Sequence, residues 1–188
     1  MRIISGFYKG KKIIEPKNSE TRPLKDLTKE SIFNIINHSN KFKLNLSNSY
    51  ILDLFSGVGS FGLECLSRGA KKVVFMEKYK EVLPILKKNL INLETLNNYE
   101  IIEEDVFNDN TFLKINSRFD IIFLDPPYKT KNLDFIFKNI ELNNILNNDG
   151  IIILHRHKKE KDIFPKKFKI IEEKKYGISK IIFLTYLK

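Results

Sequence analysis

Tyr50-Ile51-Leu52-Asp53-Leu54-Phe55-Ser56-Gly57-Val58-Gly59-Ser60-Phe61-Gly62 is an apolar run that breaks into a glycine turn and then resumes an apolar pattern. The run Tyr50–Leu54 predicts a buried strand, and the pattern after the turn predicts a helix to about Arg68. Glycines between them let the backbone turn tightly and approach a ligand closely. The unit then repeats. Strand Val73–Met76 leads to a helix reaching about Leu93, in which Pro84 implies a late start or a kink. Glu100–Ile102 and Phe119–Leu124 are the third and fourth strands, and a helix covers about Leu133–Leu146. Gly150 precedes a fifth strand, Ile151–Leu154. Repeated βα units predict an α/β fold with a doubly wound, mostly parallel, Rossmann-like sheet. Two last runs, Phe168–Ile171 and Ile181–Tyr186, flank the turn Tyr176-Gly177-Ile178-Ser179. They predict an antiparallel hairpin at the sheet edge.

Upstream of this alternation, residues 2–15 read as a hairpin, with Ile3-Ile4 and Ile13-Ile14 around Gly6-Phe7-Tyr8-Lys9-Gly10. Thr21-Arg22-Pro23-Leu24 is a loop. Leu27, Ile32, Phe33, Ile35 and Ile36 mark an amphipathic helix from Asp26 to about Asn37, with His38 positioned to complement its C-terminal dipole. The Asn/Ser-rich stretch 45–49 divides the chain into an N-terminal hairpin-helix extension, 1–45, and a main domain, 46–188.

At 188 residues the chain suits one core, and 30% charged with 42% hydrophobic residues is ordinary for a globular protein. No apolar run is long enough to span a bilayer. Met1-Arg2-Ile3-Ile4-Ser5-Gly6 lacks the apolar core of a signal peptide, so the expected location is cytoplasmic. The single cysteine, Cys65, excludes an internal disulfide and a cysteine zinc site, and it reads as packing. No His/Cys/acid cluster has metal-ligand spacing. Net charge is +10, unevenly spread: residues 1–43 carry ten Lys/Arg against four Asp/Glu, residues 151–188 eleven against four, and residues 44–150 twelve against fifteen. Basic ends around a slightly acidic middle suit a nucleic-acid substrate, although a solubilising lysine surface has the same composition.

The chemistry gathers at the strand ends. Asp125-Pro126-Pro127-Tyr128 follows the fourth strand directly. Neither proline can donate to a sheet, and the first pushes Asp125 towards an extended conformation. Such dipeptides alone are ordinary turns. After a buried strand they also offer an acid, fixed carbonyls and a ring, a set that can grip the amino group of a flat base. Gly57-Val58-Gly59-Ser60-Phe61-Gly62 fits a dinucleotide-loop spacing, but Asp53 would repel a pyrophosphate. It favours a cation such as the ammonium or sulfonium of S-adenosylmethionine. Glu77 ends the second strand, where an acid can accept ribose hydroxyls. Asp105 follows the third strand and can accept from an adenine amino group. With Asp125, four successive strand ends carry an acid.

These motifs resemble those of class I S-adenosylmethionine-dependent methyltransferases, and Asp-Pro-Pro-Tyr resembles the motif of enzymes that methylate amino nitrogens. Arg2-Ile3-Ile4-Ser5-Gly6, Lys9-Gly10, Thr21-Arg22-Pro23, Glu30-Ser31-Ile32-Phe33-Asn34 and Leu63-Glu64-Cys65-Leu66-Ser67-Arg68-Gly69-Ala70 narrow the likeness. Together they resemble the bacterial 16S rRNA guanine-N2 methyltransferase (RsmD-type) family, nearly end to end. Two positions depart from the family pattern. Leu27 stands where an arginine is usual, and His155 stands where an acid usually follows the fifth strand.

The resemblance implies S-adenosylmethionine as cofactor, held by Asp53, Phe55, Ser56, Gly57, Gly59, Glu77, Lys78, Asp105, Val106 and Asp125. It implies Asp125, Pro126, Pro127 and Tyr128 as the catalytic set, with no metal. The substrate would be 16S rRNA in an assembled or assembling small subunit, at guanine-966 in the family's usual RNA numbering. The basic N-terminal residues Arg2, Lys9, Lys11, Lys12, Arg22 and Lys25 are candidates for phosphate contact, and the N-terminal extension would also cover the cofactor. Phe7 and Tyr8 are candidates for stacking or for hairpin packing. His155 and His157, which flank Arg156, read as surface or RNA-contacting residues, with a general base as the alternative. The enzyme would act as a monomer. Another amino methyltransferase, acting on DNA or on a protein glutamine, and a non-catalytic RNA-binding protein on the same fold are the competing readings.

Overall fold

The structure is a computed structural model that describes residues 1–16, 24–93, 97–108 and 110–187. Apolar side chains on both faces bury β1 (Tyr50–Leu54), β2 (Lys72–Met76), β4 (Phe119–Leu124) and much of β5 (Leu146–His157). β3 (Tyr99–Ile102), half-buried, lies at one edge. These five strands run parallel. β6 (Phe168–Tyr176) and β7 (Ser179–Tyr186) close the other side as an antiparallel pair, giving the order β3-β2-β1-β4-β5-β7-β6. The doubly wound sheet with its terminal hairpin is as the sequence predicts. The chain leaves β1 towards β2 on one side and later fills β4 on the other. The topological switch point therefore lies between the carboxyl ends of β1 and β4, where open sheets bind ligands.

Strand parity assigns the layers. Ile51, Val73, Phe75, Ile121, Phe123, Ile151 and Ile153 pack with α1 (Asp26–His38), α2 (Ser60–Ser67) and α3 (Leu83–Ile91). Leu52, Leu54, Val74, Met76, Ile122, Leu124, Ile152 and Leu154 pack on the other face with α4 (Leu133–Leu142). On the first face Phe33 of α1, Phe61 of α2 and Phe123 of β4 form a stack with centroids 5.3 and 4.0 Å apart.

Several boundaries differ from expectation. Residues 2–15 turn back on themselves as expected, but the hairpin is short: one antiparallel bridge, Arg2 with Lys12, and backbone bonds from Ile3 N–H to the Lys11 carbonyl, Gly10 N–H to the Ile3 carbonyl and Ile13 N–H to the Met1 carbonyl. It is also anchored to the main domain: Phe7 N–H donates to the Ser67 carbonyl, and Ile14 N–H to Asn89 of α3. Pro84 lies in the first turn of α3, so the late start applies and no kink is needed. α4 stops at Leu142 because Asn144 adopts φ 50°. β5 then starts before Gly150, at Leu146.

The N-terminal segment shares its core with the main domain. Ile3, Ile13, Leu24, Ile32 and Ile36 belong to the same apolar cluster as α2 and α3. A buried polar knot also joins the two parts. Lys29 Nζ lies 3.7 Å from Glu64 and donates to the Arg2 carbonyl at 2.7 Å. Glu64 accepts from the N–H groups of Ile4 and Ser5 and from Arg68 Nε. Burial lowers the Lys29 pKa, against the pull of Glu64 and Asp26. Paired, hydrogen-bonded charges of this kind resist separation, since removing one partner leaves the other buried and uncompensated.

Candidate active site

β1 ends in a turn that only an unusual backbone can make. Phe55 adopts φ 61°, and Gly57 and Gly59 adopt φ 54° and 86°. A Cβ on Gly57 would meet nothing within 4 Å, so this backbone faces open space that a ligand can approach. Ser56 Oγ donates to the Asp53 carbonyl at 2.6 Å, which pins the turn to its own strand. Glu77 pins it to β2: its carboxylate accepts from Gly57 N–H at 2.7 Å and from the N–H groups of Lys78 and Tyr79, each at 2.8 Å. Glu77 is thus already the acceptor that shapes the glycine loop.

Asp53 has the parity of Ile51, so its side chain turns towards α2 and accepts Gly62 N–H at 3.0 Å. It is fully buried. Burial raises its pKa well above the usual carboxylate range, and the nearby charges of Asp125 and Glu77 raise it further. Three acids therefore converge around the switch point. A bound cation is the charge that would relieve them. Further out, Asp105 pairs with Lys78 at 3.0 Å and accepts from Phe107 N–H. Burial works to raise the Asp105 carboxyl, but those two donors outweigh it and hold it low. Val106 is buried beside them, and Phe55, Phe107 and Phe135 form a tilted ladder with 6.0 Å spacings. A cavity lined by Phe107, Thr130, Lys131, Asn132 and Phe135 opens at this edge. The glycine cradle, the acids and the apolar ladder suit a group with a cationic centre, ribose hydroxyls and an adenine ring.

Asp125 follows β4 by one residue. Pro126 behind it is buried, and Pro127 is exposed. Two consecutive residues of β5 hold this turn. His155 and Arg156 are buried, which corrects the reading of His155 as a surface or RNA-contacting group. The reason is register. Leu124 of β4 pairs with Leu154 of β5, so the next residues, Asp125 and His155, continue side by side with the parity of Phe123 and Ile153. His155 Nδ1 lies 2.8 Å from Asp125 Oδ1. Arg156, of opposite parity, reaches under the turn and donates to the Thr130 carbonyl at 3.1 Å, with longer contacts to the Pro127 and Tyr128 carbonyls. Asp162 balances its charge at 3.1 Å. Tyr128 bonds Ser179 through its hydroxyl at 2.9 Å, and its ring meets the rings of His155 and His157 edge-on. Parity alone could have flagged His155, since Ile151, Ile153 and His155 alternate on one face. Nothing local flags Asp162 or Ser179.

The basic N-terminal candidates are spread differently. Arg2, Lys9, Lys12 and Lys25 are exposed. Lys11 Nζ donates to the Asn92 carbonyl at 2.8 Å, at the C-terminal end of α3, and lies over the Tyr8 ring. Phe7 is 87% exposed and so does not pack. Arg22 lies outside the described residues. Cys65 is buried in α2, as packing requires, and His38 stands in the last turn of α1. Among the described residues no cluster of His, Cys, Asp and Glu forms a metal site, and no helix is long and apolar enough to cross a membrane.

A seven-stranded sheet of this order, with a glycine loop after β1, an acid after β2 and Asp-Pro-Pro-Tyr after β4, defines a class I S-adenosylmethionine-dependent methyltransferase fold. The chain belongs to the family described as Conserved hypothetical protein 95, the RsmD-type family, which it matches over residues 1–185. It is 34% identical to ribosomal RNA small subunit methyltransferase D of Haemophilus influenzae over 183 residues, covering 95% of this chain and 90% of that one. Among solved structures it resembles a methyltransferase of Escherichia coli with a TM-score of 0.81 at 27% identity, covering 99% of this chain and 97% of the other. It also resembles a Haemophilus influenzae methylase with a TM-score of 0.77 at 32% identity, covering 100% and 98%.

Proposed function

We propose that this protein methylates the exocyclic N2 of a guanine in 16S rRNA, at the position that the family usually numbers 966, using S-adenosylmethionine. The assembled or assembling small subunit is the substrate. The single observation that carries the reading is the rigid Asp125-Pro126-Pro127-Tyr128 turn, held from β5, beside a buried acidic switch point that favours a cation. S-adenosylmethionine, when bound, supplies an electrophilic methyl group on a sulfonium.

The chain's own residues position the acceptor. An aromatic amine is a poor nucleophile because its lone pair is delocalised into the ring. Asp125 and the Pro126 carbonyl accept its two N–H groups, which concentrates electron density on nitrogen and aims it. The nitrogen becomes cationic as it gains the methyl group, and it then releases the proton held by Asp125 to that carboxylate and on to solvent. The Tyr128 ring packs on the base, which must be flipped out or unpaired to enter. Positioning is sufficient in principle, since oriented reactants recover roughly 7–11 kcal/mol of entropic cost. Glu77 and Asp105 have carboxylate oxygens to offer to ribose and adenine. Arg2, Lys9, Lys12 and Lys25 supply exposed cations for phosphates, and Phe7 a free ring for stacking.

Replacement of Asp125 by alanine should abolish methyl transfer to small subunits while leaving S-adenosylmethionine binding and cooperative unfolding in place. A folded variant with wild-type turnover would remove Asp125 from the reaction. Transfer to duplex DNA in preference to small subunits would favour another amino methyltransferase. Calorimetry showing no binding of S-adenosylmethionine would favour a non-catalytic RNA-binding protein.

A further inference from the structure

We propose that His155 is a positioning residue for the reaction: its Nδ1–H fixes which oxygen of Asp125 remains to receive the substrate amine. The inference rests on the reading of Asp125 given above.

Three observations converge. The Nδ1···Oδ1 distance is 2.8 Å, within charge-assisted hydrogen-bonding range. A carboxylate oxygen can only accept, so Nδ1 carries the hydrogen and Oδ1 is occupied. That leaves Oδ2 as the free oxygen of a carboxylate whose side chain is 20% exposed. The His155 ring is itself held. It is buried at 7% side-chain exposure, and Tyr128 packs edge-on at 6.3 Å. Among the described residues its buried Nε2 has no hydrogen-bond partner, so no bond among them competes to swing the ring away from Asp125. A surface histidine would show none of this. A carboxylate free to rotate about χ2 presents two equivalent oxygens, whereas one tethered through Oδ1 presents a single oxygen in one direction. Displacement of a reacting group by about 1 Å can cost about 100-fold in rate, which sets the scale of what a tether can contribute.

The charged and titratable groups around the pair are Asp53 from β1, Tyr128 from the turn, and Arg156 and His157 from β5 itself. Arg156 reaches the backbone carbonyls of the turn, and among the described residues it is His155 that bonds the Asp125 carboxylate.

The test compares His155→Phe, which fills the space without a donor, with His155→Asn, whose amide N–H can replace Nδ1–H. Turnover on small subunits is measured beside S-adenosylmethionine affinity, RNA affinity and thermal unfolding, with Asp125→Ala run in parallel. The expected result is a fall in kcat of about 10- to 100-fold for His155→Phe, recovery of most of that loss in His155→Asn, and unchanged KM for S-adenosylmethionine in both. Equal activity of folded His155→Phe and wild type, with Asp125→Ala inactive, would overturn the role of His155 and leave that of Asp125 standing. An active Asp125→Ala would overturn the reading beneath it. Loss shared equally by both His155 variants, tracking their unfolding temperatures, would mark the residue as structural and also overturn the proposal.

Discussion

Gly62 is the position at which α2 touches the sheet, and Gly62→Ala should show how closely the cofactor loop depends on that contact. A Cβ there would lie 2.2 and 2.6 Å from Phe75 Cε1 and Cζ, and 2.9 Å from Val73 Cγ1. Ordinary carbon contacts are about 3.5–4.0 Å, so α2 or the ring must move by more than about 1 Å. Phe75 is fully buried in β2 and cannot swing into solvent. Alanine would contribute about 1 kcal/mol through helix propensity. Overpacking a filled core costs about 1–3 kcal/mol and sometimes more. The clash is with a rigid ring, so the upper part of that range applies and the net loss should be about 1–2 kcal/mol. With a urea slope of about 2 kcal/mol/M, the unfolding midpoint should drop by roughly 0.5–1 M. Because α2 begins at the glycine loop, affinity for S-adenosylmethionine should fall with it. The decisive assay is a double-mutant cycle with Phe75→Leu, which removes the atoms in the way. The double variant should be more stable than the sum of the single losses by about 1 kcal/mol. Additivity within about 0.5 kcal/mol, or a Gly62→Ala protein as stable as wild type, would refute the steric argument.

Two further outcomes follow from the buried charges. Asp53 is raised in the folded state, so its favourable contribution is full below the unfolded carboxyl value of about 3.9 and is lost as pH rises through the folded value. Asp53→Asn keeps an acceptor for Gly62 N–H and cannot ionise. Without cofactor it should match wild type near pH 4 and become the more stable protein towards pH 8, while binding S-adenosylmethionine at least about tenfold more weakly. Equal pH–stability curves in paired thermal melts would count against a charged Asp53. Lys29→Met should destabilise by about 3 kcal/mol because it leaves Glu64 short of a buried partner. The Lys29→Met/Glu64→Gln double variant should recover part of that loss, and denaturant titrations that find no recovery would argue against the pairing.

The sheet order was legible because a buried parallel strand must be apolar on both faces and must be followed by turn chemistry. Tyr50–Leu54, Val73–Met76 and Phe119–Leu124 satisfy that rule, and their ends appear within a residue or so of where the rule places them. The glycine loop and Asp-Pro-Pro-Tyr were legible for a related reason, since glycine and proline constrain the backbone wherever they stand. The N-terminal hairpin was legible because apolar pairs flank a glycine-bearing turn, and Ile3, Gly10 and Ile13 donate the backbone bonds that close it. Its anchors on the main domain were not legible, because they lie about 60 residues or more away in the chain, on Glu64, Ser67 and Asn89.

By itself, the sequence determined the layered α/β sheet, the acids at the strand ends and the turn that carries Asp125, because each follows from local backbone chemistry and a period of two. Only the tertiary structure decided what those groups do to one another. It set Asp125 beside His155 through the β4–β5 register, ran Arg156 beneath the turn, turned Glu77 onto the glycine loop and buried Lys29 against Glu64. Those relations join residues 20 to 35 positions apart or across separate elements. No local pattern encodes them, because pairing register and burial are properties of the assembled sheet and its helices.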